Sequence, residues 1–276
     1  MFDGSTPPRL KSNRKYDRIL AYVYWQITKG MDPDNLPDDL PFDLDDVRHA
    51  MKLAVDDGAI DKPIKNVPDI KYTYDARRDL PPEIEQAESV GHRTWLQNGK
   101  GAYTFRRTKR KNLIDLAEYL GDAPEPEVIP DQTPPFIAGL IGDDEQAMFT
   151  RVRNAGLLDQ FLGFKAYPIQ GHHRTTVSYG QIEIDEVQAG LKGNVGVLVP
   201  ISGKGGQDKL SWSQALNLNT YATEKPPALG LQVRSLGLWR DQQGTVWIVE
   251  FSPETNIDEI EITKVQRFKF LGYGAK

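Results

Sequence analysis

The segment GQIEIDEVQAGLKGNVGVLVPISGKGG, residues 180–206, decides the fold of this chain. In its first half, Ile182, Ile184 and Val187 alternate imperfectly with acidic residues, and this alternation is typical of a half-buried strand. Its second half is almost continuously apolar over residues 195–201, which is typical of a central strand covered on both faces. A glycine-containing turn lies between the two predicted strands.

Segments on either side of this strand pair add helices and further strands. Residues 143–163 have helical spacing, with Met148, Val152 and either Leu157 or Leu158 turned inward, and residues 164–170 favour a short strand. Downstream, the pattern predicts a helix near 209–221 and strands at 231–238, 245–251 and 260–270. The order helix, three strands, helix, strand, with additions, predicts the α/β class, with a mixed sheet flanked by helices.

The N-terminal part has a different pattern, of helices followed by a basic hairpin. Apolar residues recur at helical spacing over 16–27 and 43–57, with Gly30 and Gly58 placed to end the two helices. Residues 92–107, HRTWLQNGKGAYTFRR, predict a β-hairpin around Asn98-Gly99. The combination predicts a winged-helix-like α+β domain whose wing contacts a phosphate backbone. The alternative is a structural hairpin with solvated lysines and arginines.

Charge is segregated along this first part of the chain. Nine aspartates lie between Met31 and Asp57, with only Arg48 and Lys52 as strong bases. Six basic residues and no acid lie between Lys100 and Lys111. This polarity favours a domain with one face turned toward a polyanion, although the whole chain carries a net charge of −5. Two unrelated solvated surfaces are the alternative.

A proline-rich segment predicts the domain boundary. Residues 121–135, GDAPEPEVIPDQTPP, hold five prolines and four acids, and proline favours an extended, semi-rigid connector. We therefore predict a winged-helix-like domain over 1–120, a linker over 121–135 and an α/β domain over 136–276.

Composition excludes several functional classes. The absence of cysteine removes disulfides, thiolate metal sites and cysteine nucleophiles, and four histidines make a zinc centre a poor expectation. No run of 18 apolar residues exists, and the first residues lack the apolar core of a secretory signal. These features predict a cytoplasmic protein without membrane association.

The residues that carry chemistry lie on the two predicted strands. Residues two apart on a strand share a face, so Glu183 and Asp185 project together, as do Ser202 and Lys204. If the strands are adjacent, carboxylates at their ends can hold a hard divalent cation through oxygen. A lysine beside them can orient an attacking water or stabilise the charge that develops during phosphoryl chemistry.

This constellation resembles the PD-(D/E)XK nuclease superfamily, in particular type II restriction-endonuclease-like proteins. Asp185 matches the first aspartate of the motif, Lys204 matches the lysine, and 16 residues separate Asp185 from Ser202. Gln214 falls where many members carry a supporting glutamine, and Glu145 falls where members often place an accessory acid. The resemblance covers roughly residues 140–222, and the hairpin around residue 99 is similar to DNA-reading modules attached to such enzymes.

The sequence departs from this family at one position. Ser202 stands where an aspartate or glutamate is usual, and a hydroxyl is a poor Mg²⁺ ligand. Some members recruit a carboxylate from elsewhere, and Glu183 is the candidate because it shares the face of Asp185, whereas Glu186 is predicted to point away. Glu145 is more typical of an acid favoured by the dipole at a helix start than of a metal ligand.

The resemblance implies a Mg²⁺-dependent endonuclease that cuts double-stranded DNA as a homodimer, with a companion DNA methyltransferase that acts on the same site. The predicted catalytic residues are Asp185, Lys204, Glu183, Ser202 and Gln214, and the predicted metal ligands are Asp185, Glu183 and Glu145. The predicted DNA contacts are Lys100, Arg106, Arg107, Lys109, Arg110, His173 and Arg174, although His172, His173 and Arg174 are equally consistent with a solvated surface. Two alternatives stay open: a DNA-binding protein on an inactive nuclease fold, and an acidic-faced protein-interaction module.

Overall fold

The chain divides into two units in a computed structural model that describes residues 12–85, 91–119, 125–225 and 230–271. Unit 1 comprises Met1–Leu113 together with Ser178–Gln181, and unit 2 comprises Ile114–Val177 and Ile182–Lys276. Among the described residues, no helix has the length and apolar character needed to cross a membrane.

Unit 1 combines helices with a small antiparallel sheet. Its elements are α1 (Lys15–Thr28), β1 (Asp39–Asp43), α2 (Leu44–Asp56), α3 (Pro68–Ala76), α4 (Pro82–Glu85), β2 (His92–Gln97) and β3 (Ala102–Thr108). The three strands are ordered β1-β3-β2. Apolar side chains of α1 and α2, among them Leu20 and Val47, pack in one core with Phe105 of β3.

The predicted helices and hairpin of unit 1 are present, with a longer connection at the hairpin. Asp43 and Asp46 form a reciprocal capping box at the start of α2, and Gly58, at φ +69°, follows its end. Residues 98–101 connect the hairpin strands, with the Asn98 amide donating to the carbonyl of Ala102 at 2.9 Å. The connection is therefore four residues long, longer than a two-residue Asn-Gly turn.

Unit 2 is built on a mixed sheet flanked by helices, which confirms the predicted α/β class. Its helices are α5 (Pro135–Leu140), α6 (Glu145–Asn154), α7 (Leu157–Leu162) and α8 (Trp212–Glu224). Its strands are β4 (Glu127–Pro130), β5 (Ala166–Val177), β6 (Gly180–Lys192), β7 (Val195–Gly205), β8 (Gln232–Val233), β9 (Leu236–Arg240), β10 (Thr245–Phe251) and β11 (Ile262–Leu271). The strand order is β4-β11-β10-β9-β7-β6-β5, with β8 beside β7.

Strand directions in this sheet follow from the connections. β6 and β7 are joined by a short turn and are antiparallel, whereas β7 and β9 are separated by α8 and are parallel. The inward-facing residues of α6 and α7 match the expectation, because Met148, Val152, Leu157 and Leu158 are all buried in the core beside β7 and β9.

The proline-rich segment differs from the predicted linker. Residues 127–130 form β4, which pairs in parallel with β11 from Phe268 to Leu271, so this part of the segment belongs to the sheet of unit 2. Proline is tolerated there because β4 is an edge strand of the sheet. The division between the two units falls at Leu113, before the segment, and residues 121–124 lie outside the described residues.

Candidate functional site

Asp185 lies where the ladder between β6 and β7 ends. The last paired residues are Glu186 and Ile201. One residue beyond this pair, Asp185 contacts β7 through its side chain. Asp185 Oδ2 accepts hydrogen bonds from the Gly203 amide at 2.8 Å and from Ser202 Oγ at 3.1 Å. The carboxylate is therefore fixed against β7 as the sequence spacing predicts, while Oδ1 accepts no hydrogen bond within the described part of the chain.

Lys204 follows Ser202 on the same face of β7, two residues along the strand. Its side chain is buried, at 7% exposure, and it stands opposite Trp239 of β9. A charged ammonium in such a position needs polar partners, and Lys204 has interactions within the protein. The strand pair thus brings Asp185, Ser202 and Lys204 to one face of the sheet.

Gly203, between Ser202 and Lys204, faces the other side of β7. A Cβ at Gly203 would lie 2.5 Å from the buried ring of Phe149 on α6, so the helix packs directly on the strand at this point. The glycine of the Ser-Gly-Lys tripeptide thereby lets α6 support the strand that carries the candidate site.

We expect Gly203→Ala to destabilise the protein by about 1–3 kcal/mol, because the new methyl group overpacks a filled core. The urea midpoint of unfolding measures this effect. Gly142→Ala is the matched control, because a Cβ at Gly142 has no atom within 4 Å. Equal midpoints for the two variants would contradict the close packing of Phe149.

Glu183 is held at the surface by residues of β5. Arg174 Nε donates to Glu183 Oε2 at 3.0 Å, and His172 Nδ1 lies 3.3 Å from Oε1. All three side chains are at least 40% exposed. Exposed ion pairs contribute little free energy, so a cation can replace Arg174 at this carboxylate at small cost.

Glu186 points away from Asp185. It is 3% exposed and forms an ion pair with Arg153 of α6, and it also accepts a hydrogen bond from the Gln188 side chain. Its charge is therefore balanced inside the protein, on the side of the sheet that α6 covers.

Glu145 and Gln214 lie on different helices. Glu145 is the first residue of α6 and approaches Gly205, where a Cβ would lie 3.7 Å from Glu145 Oε1. Gly205 shares the face of Gly203, so Glu145 lies on the side opposite Asp185, and its position fits an acid at a helix start. Gln214 lies in the first turn of α8, and its buried Oε1 accepts no hydrogen bond from the described residues.

The carboxylates near Asp185 offer few ligands to a divalent cation. No group of three or more His, Asp and Glu residues comes together for a metal anywhere in residues 12–85, 91–119, 125–225 and 230–271. Mg²⁺ keeps several waters and is commonly held by one or two carboxylates together with substrate phosphates. Asp185 supplies one carboxylate with an oxygen to offer, and Glu183 is the second carboxylate on that strand face.

The predicted basic surface of unit 1 is partly neutralised by the acidic segment. β1 pairs with β3, which places Asp39 opposite Arg106. Arg106 donates to both oxygens of Asp39, at 2.8 and 3.0 Å, and Arg107 Nε lies 2.9 Å from Asp38. The hydrogen bond from Arg106 lowers the pKa of the Asp39 carboxyl. The acidic and the basic segment are therefore partners across neighbouring strands. This differs from both arrangements considered from the sequence, a single face turned toward a polyanion and two unrelated solvated surfaces.

The other predicted DNA contacts differ in how exposed their side chains are. Lys100 is exposed in the hairpin connection and Lys109 is exposed just beyond β3, whereas Arg110 is half-buried. His173 packs edge-on against Tyr221 of α8, with ring centroids 5.5 Å apart, and its buried Nδ1 has no hydrogen-bond partner among the described residues.

Sequence reasoning missed a row of side chains that continues from Lys204. Register places Lys204, Trp239, Trp247 and Arg267 opposite one another on the adjacent strands β7, β9, β10 and β11. Directly opposed residues share a face, and we call this set the cation–tryptophan row. A tryptophan in each of two short strands was the available signal, but their register was not visible in the sequence.

Comparison of the chain with protein-family models, with curated proteins and with solved structures gave no match.

Proposed function

We propose that unit 2 is a Mg²⁺-dependent endonuclease with a restriction-endonuclease-like core, which hydrolyses phosphodiester bonds of double-stranded DNA. The observation that carries this proposal is the placement of Asp185 beside Ser202, with Lys204 two residues along the same strand face. The acid and the lysine that the resemblance names lie on one face of the two strands, and this placement supports the proposal.

Each residue has a role that its surroundings support. Asp185, fixed by Ser202 and the Gly203 amide, would hold Mg²⁺, which supplies Lewis-acid polarisation of the phosphate. Lys204 orients the attacking water and stabilises the charge on the phosphate oxygens. Hydrolysis forms one bond from water oxygen to phosphorus and breaks one phosphorus–oxygen ester bond, with a proton passing to the leaving oxygen. Gln214 Oε1 is an acceptor suited to an ordered water.

Unit 1 supports the DNA-binding part of the proposal. It has α1, α2 and α3, followed by a hairpin that β1 extends to three strands, and this combination of helices and hairpin supports the proposed winged-helix-like domain. Lys100 lies exposed in the connection of the hairpin, where a wing would meet phosphate.

The salt dependence of DNA binding separates paired from unpaired charges in unit 1. We expect Lys100→Gln to reduce the slope of log affinity against log salt by about one unit, because one phosphate contact is lost. The charge-neutral double variant Asp39→Asn with Arg106→Gln should leave the slope unchanged, because Arg106 is already satisfied by Asp39. Titrations by anisotropy at several salt concentrations, in EDTA, measure both. A reduced slope in the double variant alone would reverse this assignment.

The proposed nuclease acts as a dimer beside a DNA methyltransferase. Cleavage of both strands of a symmetric duplex site calls for two copies of the centre, so the active form is a homodimer. A companion DNA methyltransferase would protect the same site in the cytoplasm of the cell.

The second candidate is a DNA-binding protein on an inactive nuclease fold. Ser202 in place of an acid favours it, as do the ion pairs that Glu183 makes with Arg174 and His172. Within the described ranges, these leave Asp185 as the carboxylate of the centre without an ion-pair partner.

Supercoiled plasmid DNA decides between the two. The nuclease nicks or linearises it in Mg²⁺ or Mn²⁺ and leaves it intact in EDTA. The inactive-fold protein binds it in a salt-dependent manner and leaves it uncut in every metal. Absence of both cleavage and binding rejects both candidates and favours the protein-interaction alternative.

A further inference from the structure

We propose that a cavity lined by Trp239 and Trp247, the first of which stands opposite Lys204 in the sheet, binds a single nucleobase of the nucleic acid. This inference rests on the proposed function and names a substrate subsite next to the candidate catalytic lysine.

The shape of the cavity supports one planar ring. Its volume is about 220 Å³, and its apolar walls include Ile114, Leu116 and Leu210. Pockets for drug-sized ligands are typically about 300–1,000 Å³, so this cavity suits a smaller planar group. Trp247 is 5% exposed while Trp239 is half-buried, with their ring centroids 6.0 Å apart.

Both indole N–H groups are already used inside the protein. Trp239 Nε1 donates to the Asp208 carbonyl at 2.9 Å, and Trp247 Nε1 donates to Asp241 Oδ2 at 3.1 Å. These bonds fix the orientation of the rings. What the half-buried Trp239 offers a ligand is therefore a π face, and stacking on an aromatic face is tolerant of base identity.

Charge along the cation–tryptophan row matches a nucleotide. Lys204 and Arg267 stand at its two ends, and Arg267 lies 5.1 Å from the ring centre of Trp247. Adjacent strands are about 4.8 Å apart, so the backbone positions of Lys204 and Arg267 are about 14 Å apart across the row. Lys209 is exposed at the rim of the cavity. A base stacked on Trp239 thus has one exposed cation of the cavity rim, Lys209, placed for a phosphate.

The two acids that line the cavity act as acceptors. Asp241 has both oxygens engaged, with the Gln243 and Thr245 amides on Oδ1 and Trp247 on Oδ2. Asp115 Oδ1 accepts from the Ala117 amide, and no described residue donates to Oδ2. A carboxylate oxygen in this position can accept from the exocyclic amine of adenine or cytosine. We therefore infer an amino-bearing base as the preferred occupant.

Binding of single-stranded octadeoxyadenylate to the full chain in EDTA tests the subsite without cleavage. We expect Trp239→Ala to weaken binding by about 5- to 150-fold, the range for loss of one stacked base, and Trp239→Phe to retain most of the affinity. Lys209→Gln should reduce the salt slope by about 0.7. Because Trp239→Phe keeps an aromatic face, it distinguishes lost stacking from misfolding.

Three other results of these experiments would overturn the subsite. Wild-type affinity in Trp239→Ala, or no binding of the octanucleotide by the wild type, overturns the subsite. Displacement of the octanucleotide by an equal concentration of dAMP assigns the cavity to a free nucleotide and overturns the assignment to nucleic acid. Plasmid cleavage in Mg²⁺ separates the two proposals. If Trp239→Ala weakens binding but the wild type does not cleave, the nuclease is rejected and the subsite is kept. If the wild type cleaves but Trp239→Ala binds normally, the subsite is rejected and the nuclease is kept.

Discussion

Asp185→Ala is expected to lower the rate of plasmid cleavage in Mg²⁺ by more than 100-fold while leaving DNA affinity in EDTA within a few-fold of wild type. Removing groups that merely orient metal ligands typically costs 10–100-fold, and Asp185 is the carboxylate at the end of the β6–β7 ladder with an oxygen to offer a cation. Its loss also leaves the Gly203 amide without its acceptor.

Two variants keep this test specific. Asp185→Asn preserves the side-chain oxygen that accepts from Gly203 but removes the charge, so it should fold normally and remain inactive. Glu254→Gln removes an exposed carboxylate elsewhere in unit 2 and should cleave at the wild-type rate. Wild-type cleavage by Asp185→Ala, with the same product ends, would place the chemistry at another site.

Ser202→Glu is expected to make the protein's stability strongly dependent on divalent metal. Ser202 is 6% exposed and donates to Asp185, so a glutamate there replaces a hydrogen bond with a second negative charge at close range. Without metal the variant should melt below wild type. A cation bound between two carboxylates relieves the repulsion, and saturation at about 100 times the dissociation constant adds about 2.7 kcal/mol.

Thermal melts in EDTA, Ca²⁺ and Mn²⁺ measure this dependence. Ser202→Gln has nearly the same volume without the charge and should respond to metal no more than wild type does. The same metal response in both variants would exclude a cation site at Asp185.

The cleavage assay extends this test to Glu183. If Glu183 supplies the second carboxylate, Glu183→Gln should lose on the order of 100-fold in rate, and Ser202→Glu should restore part of it in the double variant. A fully active Glu183→Gln protein would remove Glu183 from the centre, whatever the melts show.

Several helices and strands could be predicted from the sequence. The alternation around Ile184, the apolar run over 195–201 and the glycines after α1 and α2 predicted elements that the structure contains. Period and turn chemistry act over a few residues, so a single sequence carries them. The predicted strand 231–238 is divided into β8 and β9, and both of these strands pair in parallel with β7.

What the sequence by itself determined is the α/β class and the spacing that brings Asp185 and Lys204 to neighbouring strands, because a short turn leaves β6 and β7 few other ways to pair. Only the tertiary structure decided that Glu145 lies across the sheet from Asp185, that Asp39 neutralises Arg106, and that Lys204 shares a row with Trp239 and Trp247. These relations depend on the register between strands far apart in the chain. Register is fixed by the burial of a whole face and by the order of strands in the sheet, which no local pattern specifies.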